Sequence, residues 1–142
     1  MVIKYVYAND VKERAEDIVK ILEWNYIDLE NVSYIRSYGS NSRYTIARCH
    51  ALGKAMQIGM KRKTSFYLIE VLSEKFDRLP EDEKIKVIIH ELMHIPKTFG
   101  GGFIQHDKVN EKTVDVIYKK YFDLKYNKMF IKDREETTIK WF

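Results

Sequence analysis

The residues best suited to chemistry lie in one run, Ile88-Ile89-His90-Glu91-Leu92-Met93-His94-Ile95-Pro96, continued by Lys97-Thr98-Phe99-Gly100-Gly101-Gly102-Phe103-Ile104-Gln105-His106-Asp107. On an α-helix, residues four apart lie on nearly the same face, so His90 and His94 can grip one metal ion. Glu91 points about a quarter-turn away, where a carboxylate can act on a water at the metal without being a ligand. A catalytic zinc usually takes three protein ligands and leaves one position for water. His106 is the natural third ligand, because Pro96 stops the helix and Gly100-Gly101-Gly102 lets the chain turn back. Asp107 is the adjacent oxygen donor, and Glu111 and Asp115 are more distant ones. Three neutral imidazoles would leave the ion its full double charge, which acidifies a bound water. Glu91 would take that proton as the water attacks a carbonyl carbon, then pass it to the leaving amine.

The element that must position these groups is a helix opening near Leu79-Pro80-Glu81-Asp82-Glu83 and running through Ile95. Proline suits a first helical turn, and acidic residues suit its positive end. At about 100° per residue, Ile85, Ile88, Ile89, Leu92, Met93 and Ile95 share one broad arc. His90 and His94 lie opposite, with Glu91 beside them. The wheel therefore separates a core face from a histidine face, whereas histidines that merely fill a core would share the apolar arc.

Elsewhere the chain alternates helical and extended patterns. Residues 1–8 suggest a strand or packed arm. A first helix is expected from Asn9-Asp10 to about Trp24, with Asp10 and Glu13 spaced as a capping box. Val32–Tyr38 reads as a strand, followed by a turn through Gly39-Ser40-Asn41-Ser42 and a hairpin partner over 44–52 that carries His50. A short helical turn is expected within 53–60. Residues 64–72 form the clearest strand, with Tyr67, Ile69 and Val71 opposite Phe66, Leu68 and Glu70. Glu70 in that apolar run implies an edge position, a paired partner, or a carboxylate behind a ligand histidine. His50 is either structural or a cleft residue. The strand over 64–72 offers an edge to which an extended peptide can pair. Val109, Thr113, Val114, Ile117, Tyr118, Tyr121 and Leu124 mark a third amphipathic helix, with Asp107 as its cap. In the tail, Ile139, Trp141 and Phe142 suggest packing.

At 142 residues, with 45% apolar and 32% charged residues, the chain fits one soluble globular domain over 1–142. No apolar run approaches the length needed to cross a bilayer, and the first residues lack a secretory signal pattern. Cys49 is the single cysteine, which excludes an intramolecular disulfide and a cysteine-based zinc ribbon. A cytoplasmic, reducing location is expected. The net charge of +4 admits a nucleic-acid partner, but lysines on solvated faces account for it, as does a turn at Lys61-Arg62-Lys63.

The run HELMHIPKTFGGGFIQHD, with FYLIEVLSEKFDRLPEDEKIKVII before it and KVNEKTVDVIYKKYF after it, resembles the small metallopeptidases of archaea and bacteriophages. These are minimal zincins, similar in layout to SprT- and Spartan-type proteases, and the resemblance covers about residues 44–121. It implies a zincin-like α+β fold, zinc as the metal, His90, His94 and His106 as ligands, and Glu91 as general acid and base. The expected architecture is a small, mostly antiparallel or mixed sheet against the HExxH helix and two further helices. The expected function is zinc-dependent hydrolysis of peptide bonds in a peptide or protein substrate. The alternative is a non-catalytic, zinc-stabilised module that binds a protein or nucleic-acid partner.

Overall fold

The computed structural model describes residues 2–140, with side chains described as far as residue 127. The elements are β1 (Lys4–Tyr7), α1 (Asn9–Ile21), a 3-10 turn at Leu29–Asn31, β2 (Val32–Tyr38), β3 (Ala47–Ala51), α2 (Lys54–Gly59), β4 (Tyr67–Leu72), α3 (Ser73–Phe76), α4 (Glu81–Met93) and α5 (Glu111–Lys140). The fold is α+β. Its mixed sheet has four strands in the order β1-β2-β4-β3. β2 and β4 are parallel, while β1 on β2 and β3 on β4 are antiparallel.

Strand β3 is not the hairpin partner of β2. β4 lies between them, with Tyr34 beside Ile69 on one side and Cys49 beside Ile69 on the other. Composition explains the order. Tyr67, Ile69 and Val71 are all fully buried, so β4 loses most by standing at an edge. β3 carries Arg48 and His50 on its outer face and tolerates solvent. The sheet's edges are therefore β1 and β3, not the strand over 64–72. Glu70 also stands on an interior strand rather than an edge.

One sheet face packs on the helices. Val11, Ala15 and Ile18 of α1, Ile88, Ile89 and Leu92 of α4, and Val114 and Tyr121 of α5 join Tyr67, Ile69 and Val71 in one core. Each fully buried aliphatic contributes about 1.5–3 kcal/mol. Ile88, Ile89 and Leu92 together outweigh the cost of holding polar groups on the same helix, so the apolar arc decides how α4 lies. Arg14 clamps α1 to α4 through two 2.8 Å bonds to Glu81, and the Tyr121 hydroxyl ties α5 to α1 through Asp17 at 2.5 Å.

Two expected caps are replaced. Asp10 does not cap α1, whose N-cap is Ala8; the Asp10 carboxylate instead accepts from Arg36 at 2.7 and 3.1 Å and from Arg14 at 3.3 Å. Two guanidinium groups offer stronger, charge-assisted bonds than a helix amide does. Asn110, not Asp107, caps α5: its Oδ1 accepts from the Thr113 amide at 3.1 Å, while the Thr113 hydroxyl accepts from the Asn110 amide at 3.0 Å. The expected packing of Ile139, Trp141 and Phe142 lies outside the described side chains. Among the described residues, no helix is long and apolar enough to cross a membrane.

Candidate metal centre

Helix α4 presents Glu83, Lys86, Val87, His90 and His94 along one side, and these residues line a cleft of about 750 Å³. The opposite wall is the edge strand and its approach, residues 44–50; Glu111, Val114 and Asp115 of α5 close one end. His106 and Phe103 enter from the segment that joins α4 to α5. α4 ends at Met93, with His94 as its C-cap, so the helix stops slightly before the expected Ile95. The turn is continued by the Ile95 amide bonding to the Leu92 carbonyl.

The structure brings His90, His94 and His106 together, with one ring nitrogen of each within 4.8 Å of the other two. The ring centroids are 4.9 Å apart for His90–His94, 4.6 Å for His94–His106 and 5.4 Å for His90–His106. In a tetrahedral site with bonds of about 2.0–2.1 Å, two ligand nitrogens lie roughly 3.3–3.4 Å apart, so the three rings would turn inward to hold one ion. His94 is already set for that role. Its Nδ1 donates to the Ile104 carbonyl at 2.5 Å, because a carbonyl can only accept, and this leaves Nε2 free as a ligand atom. The Ile104 amide returns a 2.8 Å bond to the His94 carbonyl, and the Phe103 ring stacks on the imidazole at 4.2 Å and 11°. His94 is 1% exposed, so it lines the cleft while packed almost wholly beneath the loop.

Burial and the neighbouring His94 and His106 push the His90 pKa down to about 4. His94 is also lowered, first by burial, against the opposing bond to Ile104. Both rings therefore stay neutral, with lone pairs available to a cation. Glu91 lies next to them and is 6% exposed, with Oε2 4.0 Å from His90 Nε2. Burial pushes its carboxyl up to about 8, so the metal-free protein holds it protonated at neutral pH. Cys49 shares this interior, its thiol pushed up to about 12 by burial and by Glu91.

The other expected site residues stand apart. His50 lines the cleft wall, but its Nε2 lies 2.8 Å from Glu70 Oε1 on the sheet face away from the core. Glu70 is 4% exposed and also accepts from the Ser37 hydroxyl at 2.6 Å, with Arg48 3.6 Å away. Burial raises its pKa, yet the Ser37, His50 and Arg48 contacts outweigh this and hold it below the ordinary value. Its histidine partner is thus His50, not one of the clustered three. Asp107 is exposed and outside the cluster. Asp115 and Glu111 line the cleft, and Asp115 pairs with Lys86 at 3.4 Å.

A family model described as "putative phage metallopeptidase" matches residues 3–130 of the chain. The chain belongs to this family. No curated protein and no solved structure matches it. A phage metallopeptidase implies a metal ion, and His90, His94 and His106 are, among the described residues, the group able to hold one. Sequence reasoning missed the fittings around the histidine cluster, namely Phe103 on His94, the Ile104 carbonyl, and the edge strand as cleft wall. Only the alternation that puts Tyr67 on the helix-facing side of β4 hinted at a further contact.

Two predictions concern the glycine loop and the metal-free form. Gly101 has φ +93°, and a Cβ there would lie 3.2 Å from the Leu52 carbonyl and 3.1 Å from Ser65 Oγ. Gly101→Ala is expected to destabilise the protein by about 1–2 kcal/mol and to lower its metal content, measured by thermal unfolding and elemental analysis. Unchanged melting and metal content would show that the loop relaxes freely. The second follows from Glu91, whose folded pKa of about 8 lies above the ordinary 4.5. The folded chain binds that proton more tightly, so this stabilisation is complete below pH 4.5 and lost as pH rises through 8. His90 has the opposite sign: its contribution is present above 6.5 and lost as pH falls through about 4. Between pH 6.5 and 8 only the Glu91 effect remains of the two. Metal-free wild type should lose about 1.6 kcal/mol across that interval relative to Glu91→Gln, since the slope falls from about 1.4 kcal/mol per pH unit to half that at pH 8. Parallel melting curves for the two proteins would refute it.

Proposed function

We propose that the protein is a zinc-dependent endopeptidase with a zincin-like arrangement of sheet and active-site helix. The observation that carries this reading is the convergence of three imidazole nitrogens within 4.8 Å, with the Glu91 carboxyl beside them, in a cleft flanked by an edge strand. An all-nitrogen set suits zinc better than magnesium or calcium, which prefer oxygen ligands. When bound, the ion supplies a positive charge that polarises a substrate carbonyl and makes an attacking water more acidic.

The chain's own residues do the rest. His90 and His94 are held at fixed spacing by α4, and His94 is further oriented by Ile104 and Phe103. The Glu91 carboxylate accepts the proton of the attacking water and delivers it to the departing amine nitrogen. Its apolar surroundings raise its basicity to suit both tasks near neutral pH. An extended peptide laid along β3 adds main-chain hydrogen bonds at the free edge and brings a scissile carbonyl over α4. The substrate is thus an unfolded or extended segment of a peptide or protein. The reading keeps the cytoplasmic location expected from the sequence.

The test is metal analysis of the purified protein together with digestion of a broad peptide library. About one zinc per chain and metal-dependent internal cleavage are expected. A zinc-loaded protein that cleaves nothing would instead support a zinc-stabilised binding module.

A further inference from the structure

Residues 94–110 contain neither helix nor strand, yet they carry His106. A ligand on such a segment is only as well placed as the contacts that hold the segment. On the α4 side, the paired bonds between Ile104 and His94 do this. On the sheet side, one side chain does. The Tyr67 hydroxyl accepts from the Gly101 amide at 3.0 Å and donates to the Gly102 carbonyl at 2.8 Å. Tyr67 is 0% exposed and stands on β4, which is paired on both sides, so the hydroxyl is offered from a rigid base. Its ring meets Phe99 edge-on at 4.9 Å.

We propose that the Tyr67 hydroxyl is a positioning residue for the metal: it pins the glycine loop to the central strand and so sets His106 against His90 and His94. The proposal rests on reading those three histidines as the metal site. Tyr67→Phe keeps the ring but leaves the Gly101 N–H and Gly102 C=O without this partner. The loop then spends part of its time with His106 withdrawn. The apparent dissociation constant rises by the reciprocal of the competent fraction. The Leu52 carbonyl, close behind Gly101, limits retreat towards the sheet, so the freed loop moves outward.

The experiment measures zinc affinity by competition with a chromophoric chelator in three full-length proteins: wild type, Tyr67→Phe and Tyr121→Phe. Tyr121→Phe is the control, because it deletes a hydroxyl that bonds Asp17 between α1 and α5 and touches nothing in the loop. Hydrogen exchange at the Gly101 amide is read in the metal-free forms. Tyr67→Phe should bind zinc about 10–100-fold more weakly, the scale for losing a group that orients a ligand. Its Gly101 amide should exchange faster, and its kcat at saturating zinc should stay within about twofold of wild type, because α4 is untouched. Tyr121→Phe should bind as wild type does. Equal zinc affinity in Tyr67→Phe and wild type, or an unchanged Gly101 exchange rate, overturns the clamp and leaves the metal site standing. Absence of zinc binding by wild type overturns both.

Discussion

Replacing Glu91 with glutamine is expected to lower peptide hydrolysis by about 10²–10⁴-fold while zinc remains bound, the range that a positioned general acid and base contributes. The side chain has the place for this role, since it is 6% exposed and adjacent to the histidine cluster. A carboxylate can accept and return a proton there, whereas the amide of the same shape cannot. The fold tolerates the exchange for a physical reason: burial raises the Glu91 carboxyl to about 8, so a neutral group is what the metal-free fold already accommodates at pH 7. A cation held by the three imidazoles would draw the carboxyl back towards its ionised form, which only the wild type can exploit. The assay is turnover of a cleavable peptide alongside zinc content in both proteins. Activity within tenfold of wild type at equal zinc would remove Glu91 from the chemistry.

The second large effect is loss of metal in His106→Ala. Zinc affinity should fall by more than the 10–100-fold typical of disturbing a group behind a ligand, because a ligand itself is removed. His106 makes a cleaner probe than His94. His94 is 1% exposed, stacked on Phe103 and bonded to Ile104, so its truncation also opens a hole in the core. His106 is exposed, and its truncation should shift metal-free stability by no more than about 0.5 kcal/mol. The thermal stabilisation that zinc gives wild type should largely disappear in the variant. Undiminished zinc would exclude His106 as a ligand and turn attention to Glu111 and Asp115, the α5 carboxylates lining the same cleft.

The two predictions rest on features that were legible to different degrees. The spacing of His90, Glu91 and His94 follows from helical periodicity, and so does the buried arc of Ile85, Ile88, Ile89 and Leu92. Periodicity is local, so a single sequence carries it in full. The strand Val32–Tyr38 and the face shared by Tyr67, Ile69 and Val71 were readable for the same reason. Pro96 and the glycines announced a stop and a reversal, which made His106 a candidate without saying where it would arrive.

Strand order could not be read in this way. A hairpin between β2 and β3 satisfied every local signal, yet β4 lies between them because its apolar side chains are best buried in the middle of the sheet. The caps behaved alike, with Asp10 drawn to Arg36 across the fold. Glu70 found His50 and Ser37 rather than a clustered histidine, since partners of a buried carboxylate depend on which strands become neighbours. By itself, then, the sequence determined the helix that bears two histidines and a carboxyl, along with its two-sided character. Only the tertiary structure decided that His106 joins them, that β3 forms the cleft's edge and that Tyr67 holds the loop. Those contacts join residues far apart in the chain, and their geometry follows from packing the whole core rather than from any local pattern.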